Sequence, residues 1–286
     1  MRTIGASPLT AVDKMSSSPR LPTYFISHGG GPWPWMDDRR VMFAALADSL
    51  ERLTQEIGMR PKAVLSVSGH WEEPAFTAMA TPQPPMVYDY YGFPAHTYSV
   101  QYPAPGAPDV AHRIADLLRD AQLPTGIDTA RGFDHGTFAP LVVMYPEADV
   151  PVLQLSLHQS YDPALHLAAG RALAPLRDEG VLILGSGLSF HNLRMRGPQA
   201  VAPSKAFDAW LHDTLEGLPP AQRSARLLEW EQAPAARIAH PAEDHLLPLM
   251  VALGAAEHEA AHTLYHEDGV LGGWTVSSFR FGELPA

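Results

Sequence analysis

The chain has 286 residues, of which 46% are hydrophobic and 18% charged, enough for one large α/β domain with a sizeable core. With 20 basic and 31 acidic residues its formal charge is −11. An acidic chain without a basic block is a poor candidate for binding nucleic acid or an anionic membrane. The absence of cysteine excludes disulfides, thiolate metal sites and cysteine nucleophiles, so His, Asp, Glu or water must hold any metal.

The first twenty residues are rich in Ser, Thr, Ala and Pro and lack the continuous apolar core of a signal peptide. No apolar run along the chain is long enough to span a bilayer. We therefore predict that residues 1–20 form a flexible extension, that residues 21–286 form a single domain, and that the protein is cytoplasmic.

The first predicted strand, residues 22–27, ends at His28, and three glycines follow it. Glycine permits positive φ angles and the close approach of other groups. Helical spacing of apolar residues predicts a helix over about 37–57, and a second strand over 63–68 leads into His70. A strand–helix–strand succession implies a parallel pair with a right-handed crossover. Both histidines would then lie at the carboxyl edge of the sheet, where open α/β sheets bind ligands.

Residues 73–107 are rich in proline and tyrosine, and the segment 88–96 is too aromatic for a plain linker. We interpret it as a loop that packs against another part of the molecule, and two functions remain open for this loop. It either caps the hydrophobic core or contacts a substrate. A helix is predicted from Asp109 to about Leu118.

Histidines recur at the ends of later strands. The strand 152–158 ends on His158, and the apolar strand 181–187 runs into glycine and is followed by His191. Between these strands Asp162 is a typical N-cap for a helix to about residue 176, because proline follows it at the first helical position.

The remainder of the chain is predicted to be mainly helical over 204–237. A short apolar helix is predicted over 246–253, with Pro248 tolerated only in its first turn. The alternating segment 274–281 resembles an edge strand. No internal repeat or sharp linker is visible, so we expect one α/β domain with a mainly parallel sheet flanked by helices.

Taken singly, most histidines are structural or exposed. Three of them, however, follow apolar strands of what should be one parallel sheet: His28, His70 and His191. Their side chains would converge at one edge, and imidazole suits Zn, Cu, Fe and Ni. The pattern therefore predicts a metal site at the carboxyl edge of the strands.

Two other chemistries fit part of the pattern. His-Gly-Gly-Gly also forms the oxyanion hole of lipases and esterases, but a Gly-x-Ser-x-Gly elbow is then needed. In the nearest string, which contains Ser189, His191 replaces the second glycine. A phosphate-binding loop would need Gly-Lys-Ser/Thr or Gly-x-Gly-x-x-Gly opening a helix, and neither occurs. His-Glu-x-x-His is absent as well, so a zincin-type protease is not indicated.

The ordered set of motifs from residue 21 to the C-terminus resembles the class III extradiol ring-cleavage dioxygenases (LigB-like), in the branch with 4,5-DOPA extradiol dioxygenase-like proteins. Any one motif is weak, but the set in this order is specific. The motifs are Ser27-His28-Gly29-Gly30-Gly31-Pro32, Ser68-Gly69-His70-Trp71-Glu72, Tyr91-Gly92-Phe93-Pro94, Tyr102-Pro103-Ala104-Pro105-Gly106, Phe133-Asp134-His135-Gly136, Gly185-Ser186-Gly187 with His191-Asn192, and Glu243-Asp244-His245.

The resemblance implies an enzyme that inserts O2 into a catechol, L-DOPA-like or related, to give a muconic semialdehyde-type product. It implies Fe(II) for activity, with Zn(II) as an alternative bound metal. The small aromatic diol and O2 would be its partners, and a homo-oligomer is compatible with these features. By position, the metal would be held by His28, His70, His245 and His191.

By the same resemblance His191 is a ligand in some members and an acid/base in others, and His135 lines the substrate pocket. The catalytic acid/base is expected to be His191 or His135. Trp33, Tyr91 and Phe93 are expected to wall the substrate ring. Relatives that cleave protocatechuate have a glutamate as third ligand, where this chain has His245 after Glu243 and Asp244. An all-histidine site is neutral and softer towards Zn(II). The alternative function is therefore a zinc-binding member without oxygenase activity, either a hydrolase or a small-molecule binder.

Overall fold

A computed structural model describes residues 19–285 of the chain. One eight-stranded sheet forms its centre, in the order β4-β3-β5-β2-β6-β1-β8-β7. The adjacent strands β5, β2, β6 and β1 are mutually parallel, which confirms the predicted α/β fold with a mainly parallel sheet. The strands are β1 (Thr23–Ser27), β2 (Ala63–Glu73), β3 (Phe76–Met79), β4 (Thr125–Asp128), β5 (Val152–His158), β6 (Val181–Gly187), β7 (Ala261–Val270) and β8 (Trp274–Phe281).

Helices cover the sheet on both sides. None of those within residues 19–285 is both long and apolar enough to cross a membrane. The helices are α1 (Asp37–Met42), α2 (Ala44–Ile57), α3 (Pro108–Asp120), α4 (His135–Met144), α5 (Pro163–Leu173), α6 (Val201–Leu215), α7 (Pro220–Leu228), α8 (Ala236–Ala239) and α9 (Leu247–Gly254).

The central strands are buried because their sequences are apolar on both faces. Every residue of β1 and β6 is buried, as expected for parallel strands covered by helices on both sides. Helix α9 is itself buried along its whole length, and Pro248 lies in its first turn as predicted. The core is thus centred on the strands that lead to the histidines.

The carboxyl ends of these strands meet as the sequence predicts. Ser27 of β1 lies opposite Gly187 of β6, and Ser68 of β2 lies opposite Ser186. The predicted shared edge for the residues that follow β1 and β6 is therefore confirmed.

The structure corrects four of the predicted elements. The helix expected over 37–57 is two helices, because Phe43 leaves helical geometry and buries its ring against Trp33. Strand β2 does not end before His70 but runs on to Glu73, with an irregularity between Val67 and Glu72.

The segment 274–281 is a strand but not an edge strand. Strand β8 pairs antiparallel with β1 on one side and with β7 on the other, and nearly all of its residues are buried. The edge position belongs to β7, which the sequence did not indicate because its apolar residues are interrupted by charged ones. Strands β3 and β4 and helix α4 were not predicted either.

The helix predicted to end near residue 176 stops at Leu173 and continues as a short 3-10 segment that contains Pro175. The prediction for residues 1–20 falls almost wholly outside the described residues, which include only Pro19 and Arg20 of that stretch. Arg20 forms an ion pair with Asp178.

His166 of α5 gives a pH prediction for stability. Its Nε2 accepts a hydrogen bond from the backbone N–H of His158 at 3.1 Å, and its Nδ1 donates to the carbonyl of Asp162 at 2.7 Å. Burial lowers the pKa of His166 to about 4. Between about pH 4 and 6.5 the unfolded chain therefore binds a proton that the folded chain does not, so stability rises with pH by about 1.4 kcal/mol per unit.

Replacing this histidine by glutamine, His166→Gln, removes the titrating group. We expect the metal-free variant to show a shallower rise in unfolding free energy from pH 4.5 to 6.5, by about 1.4 kcal/mol per pH unit. Urea denaturation at a series of pH values measures this slope. Equal slopes for the wild type and the variant would contradict the assignment.

Candidate functional site

Five histidine rings form one cluster at the carboxyl edge of the sheet. Ring centroids lie 5.0 Å apart for His28 and His70, 5.3 Å for His28 and His135, and 4.7 Å for His70 and His245. The ring of His191 stacks on that of His245 at 3.4 Å. These rings come from the end of β1, from β2, from the first residue of α4, from the loop after β6 and from the loop before α9.

His28 is held by the turn that follows β1. Its backbone N–H donates to the carbonyl of Gly187, and its own carbonyl accepts a hydrogen bond of 2.9 Å from the indole N–H of Trp33. Gly29 has a φ of +78°, and a side chain there would overlap the Trp33 ring. Both ring nitrogens of His28 are buried and have no hydrogen-bond partner among the described residues.

The loop before α9 brings His245 onto the sheet. A Cβ at Gly187 would overlap the carbonyl oxygen of His245, so the glycine permits this approach. The Nδ1 of His245 donates to the Asp244 carboxylate at 2.9 Å. Because that nitrogen carries the proton, the Nε2 lone pair of His245 points at the Nε2 of His70, 3.2 Å away.

His70 has a similar carboxylate behind it, since its Nδ1 lies 3.4 Å from Asp89. Metal-binding histidines commonly donate their second ring N–H to a carboxylate, which fixes the tautomer and orients the ring. His245 follows this pattern, and the Nδ1 of His70 faces a carboxylate at a longer distance.

His28, His70 and His245 are neutral in this setting. Burial, with repulsion from the neighbouring imidazoles, lowers the pKa of His28, His70 and His245 well below the ordinary value. A neutral imidazole is the form that binds a metal ion.

The donor geometry fits a metal ion. One nitrogen from each of His28, His70 and His245 lies within 4.8 Å of the other two. The 3.2 Å between the His70 and His245 nitrogens matches the edge of about 3.3 Å of a tetrahedron with metal–nitrogen bonds of about 2.0 Å. The orphaned ring nitrogens of His28, together with this convergence, are what a buried cation would satisfy.

His191 is placed differently from the other predicted ligands. It forms a potential ligand group with Asp244 and His245, not with His28 and His70. Burial and the charges of neighbouring groups lower its pKa to about 4, so it is a neutral base at pH 7.

His135 is fixed by Asp89, a residue that the sequence analysis did not single out. One Asp89 oxygen accepts from the backbone N–H of His135 at 3.0 Å and the other from its Nδ1 at 2.9 Å. Burial opposes the ionisation of Asp89, but the hydrogen bonds and the charge of His135 outweigh it and lower the pKa of that carboxyl. The Nε2 of His135 is thereby left as the acceptor nitrogen.

A cavity of about 540 Å³ opens beside these rings. Of the three residues expected to wall the substrate ring, Tyr91 and Phe93 line it, whereas Trp33 is buried behind the glycine turn and does not. Asp244 also lines the cavity, while the Glu243 carboxylate is turned to an ion pair with Arg237. Of the two acids that precede His245, Asp244 is therefore the one at the site, and burial, with Glu72 and Glu243 nearby, raises its pKa to about 6.

Two arginines that the sequence analysis missed also line the cavity, Arg39 and Arg196. Arg39 lies on α1 and Arg196 in the loop after β6, outside the family motifs, so no local signal marked them. Among residues 19–285, no carboxylate lies within ion-pair distance of Arg196.

The family model of the catalytic LigB subunit of aromatic ring-opening dioxygenase matches residues 22–276. The chain belongs to this family. Strong similarity extends to curated relatives over nearly their whole length. The chain is 39% identical to a 4,5-DOPA dioxygenase extradiol of Beta vulgaris, over 91% of this chain and 96% of that protein.

A second curated relative and a solved structure show similar matches. The chain is 34% identical to the 4,5-DOPA dioxygenase extradiol of Escherichia coli K12, over 94% of this chain and 98% of that protein. A crystal structure of an uncharacterized protein from Escherichia coli K12 superposes with a TM-score of 0.71 at 30% identity, covering 92% of this chain and all of that one. Homologues of this chain are thus named as dioxygenases, which makes it an oxidoreductase of the non-haem type.

The geometry predicts a graded effect on metal affinity. His28→Ala removes a donor nitrogen, whereas Asp244→Asn removes only the carboxylate behind His245. We expect Asp244→Asn to weaken metal binding about 10- to 100-fold and His28→Ala to weaken it more, because an outer partner costs less than a ligand.

Isothermal titration of the metal-free protein with Zn(II) measures both effects. The control is His158→Ala, since His158 also ends a strand but its Nδ1 hydrogen-bonds to Ser160 outside the cluster. Equal losses for Asp244→Asn and His28→Ala would instead make Asp244 a ligand.

Proposed function

We propose that the protein is a metal-dependent extradiol dioxygenase that opens the ring of a catechol beside its two hydroxyl groups. The observation that carries the proposal is the convergence of three neutral imidazoles, two of them fully buried, on one point beside a cavity of about 540 Å³. Membership of the ring-opening dioxygenase family and the names of its relatives support the same chemistry. Both atoms of O2 would enter the product, a muconic semialdehyde.

In this proposal His28, His70 and His245 hold the metal. A bound Fe(II) would supply the electron transfer between a catechol and O2, which Zn(II), having no redox chemistry, does not. The neutral donor set leaves the charge of the cation uncompensated by its ligands, which favours a substrate that brings negative charge.

His135 is the proposed general base for the catechol. A catechol must lose a proton to bind through both oxygens, and an imidazole held in one tautomer is suited to take it. The two hydrogen bonds from Asp89 fix His135 with its Nε2 free to accept, and they compensate the positive charge that the ring then gains.

His191 is the proposed second acid/base group. Its ring is stacked on His245 and lines the cavity, so it can take the proton of the second catechol hydroxyl and return that proton to the oxygen that leaves when the O–O bond breaks. Its grouping with Asp244 and His245 rather than with His28 and His70 supports this role over that of a fourth ligand.

The substrate class is proposed to be a catechol with an anionic side group, such as L-DOPA. Several relatives are named 4,5-DOPA dioxygenase extradiol. In a chain with a net charge of −11, two arginines on the cavity wall are a local exception that would attract a carboxylate. Arg196 is the stronger candidate of the two, because Arg39 lies 3.8 Å from the Asp38 carboxylate.

A second candidate function is zinc binding without oxygenase activity. The donor set favours it in one respect, since three neutral imidazoles with no ligating carboxylate are a familiar zinc site. A hydrolase or a small-molecule binder would then use the same cavity.

The two functions are separated by reconstitution. Metal-free protein is loaded with Fe(II) without oxygen, mixed with L-DOPA or another catechol, and then exposed to O2. The dioxygenase should form a yellow ring-opened product with one O2 consumed per catechol, and the zinc-loaded protein should not. If no catechol of a panel supports O2 uptake by the iron-loaded protein, the dioxygenase proposal fails.

The variant His135→Gln provides the control for the base. Its metal content should equal that of the wild type, while kcat should fall about 10²- to 10⁴-fold, the usual contribution of a general base. Asp89→Asn should lower kcat in the same direction, because the neutral amide no longer selects the tautomer. Full activity of His135→Gln would remove His135 from the mechanism.

Substrate charge is tested with Arg196→Gln. For L-DOPA we expect kcat/KM to fall about tenfold, since an exposed charge-assisted hydrogen bond is lost, while kcat/KM for 4-methylcatechol stays unchanged. Arg194→Gln is the matched control, because Arg194 is two residues away on the same loop but does not line this cavity. Equal losses on both catechols would show that Arg196 does not contact the carboxylate.

A further inference from the structure

A second cluster of metal-binding side chains lies away from the cavity, where α6 packs on the β7–β8 hairpin. Asp208 and His212 are one helical turn apart on α6 and share a face of that helix. His266 of β7 lies opposite Ser277 of β8 in the antiparallel ladder. None of these four residues lines the cavity of the candidate active site.

The donor atoms converge on one point. Asp208 Oδ2 lies 3.6 Å from the Nε2 of His212 and 3.3 Å from the Nδ1 of His266. All three donors lie within 4.8 Å of one another. These separations are close to the edge of about 3.3 Å of a tetrahedral zinc site with bonds of about 2.0 Å.

The surrounding hydrogen bonds orient the donors. The Nδ1 of His212 donates to Glu216 at 2.9 Å, so its Nε2 lone pair faces Asp208. Glu216 is also fixed by the backbone N–H of Thr263 at 2.8 Å. The hydroxyl of Ser277 donates to the second oxygen of Asp208 at 2.6 Å, which leaves Oδ2 directed at the two histidines.

The Ser277 hydroxyl oxygen lies 3.1 Å from the Nε2 of His212 and 3.0 Å from the Nδ1 of His266, so it contacts both histidine donors as well as Asp208. The exposed fraction of the side chain is 6% for Asp208, 26% for His212 and 46% for His266. The place where the three donors meet is therefore closed by the protein on one side and open to water on the other.

We propose that Asp208, His212 and His266 form a second metal site, which takes a divalent cation of the zinc class with water as its fourth ligand. Two imidazoles and one carboxylate with an open position are a donor set that Zn(II) accepts. Such an ion would join α6 to β7, the edge strand of the sheet, in addition to the hydrogen bond that Thr263 of β7 donates to Glu216 at the end of α6.

The test counts zinc by equilibrium dialysis at about 1 µM free Zn(II). We expect His266→Asn to bind one equivalent less than the wild type. His262→Asn, the same change on the same strand but outside the cluster, should bind as much as the wild type. Because His266 is half-exposed, its variant should fold, and circular dichroism checks this.

The count is repeated in a His28→Ala background, which separates this site from the buried one. The second site predicts that His266→Asn removes one equivalent in both backgrounds, whatever metal the cavity holds and whether or not the enzyme opens catechols. If His266→Asn binds as much Zn(II) as its parent in either background, the cluster is an ion-paired network that holds a proton, and the second site is overturned.

Discussion

The candidate active site depends on the two ring nitrogens of His28, which are buried without a hydrogen-bond partner among the described residues. An unpaired polar group in the interior costs about 1–3 kcal/mol, and both ring nitrogens of His28 carry this cost. Burial also disfavours the imidazolium form, so His28, His70 and His245 stay neutral with lone pairs exposed to each other. The fold thus maintains an arrangement that is unfavourable by itself and becomes favourable when a cation occupies its centre.

The sheet holds the histidines in that arrangement. Strands β2, β6 and β1 are adjacent, parallel and buried on both faces. Their carboxyl ends are therefore held in fixed positions relative to one another. The loop that carries His245 is then laid against this rigid edge, where Gly187 leaves it room. Rigid strands and a close-packed loop position imidazoles more accurately than a mobile surface would.

The parts of the fold and the site that depend on local sequence pattern were predictable from the sequence. Apolar runs ending in histidine and glycine predicted the central strands and the edge at which His28 and His70 meet. The continuation of β2 past His70 was not predictable, because the irregularity that permits it depends on pairing with β5. Strand β8 was misplaced for a similar reason: its partner β7 is rich in charged residues and has no strand signal of its own.

Side chains that act through tertiary contacts were the main omission. Asp89 lies in an aromatic loop whose function the sequence left open, and only the folded chain brings it to His135. Arg196 comes from a loop with no motif, and it is marked by its position on the cavity wall rather than by its neighbours in sequence. Trp33 shows the opposite error: an aromatic residue beside the motif was expected in the cavity, but its indole N–H is used to fix the His28 carbonyl.

The charge of the site, which the sequence left open, follows from where the carboxylates stand. Asp89 and Asp244 face the outer nitrogens of the histidine rings, so they orient the donors and lie one ring further from the centre than a ligating carboxylate would. Coulomb attraction falls with distance, so a divalent cation bound by three neutral imidazoles would keep more of its charge for a substrate than in a site with a ligating glutamate. In the proposed mechanism, a catechol that has given a proton to His135 would supply the missing negative charge, which links the all-histidine donor set to the proposed base beside it.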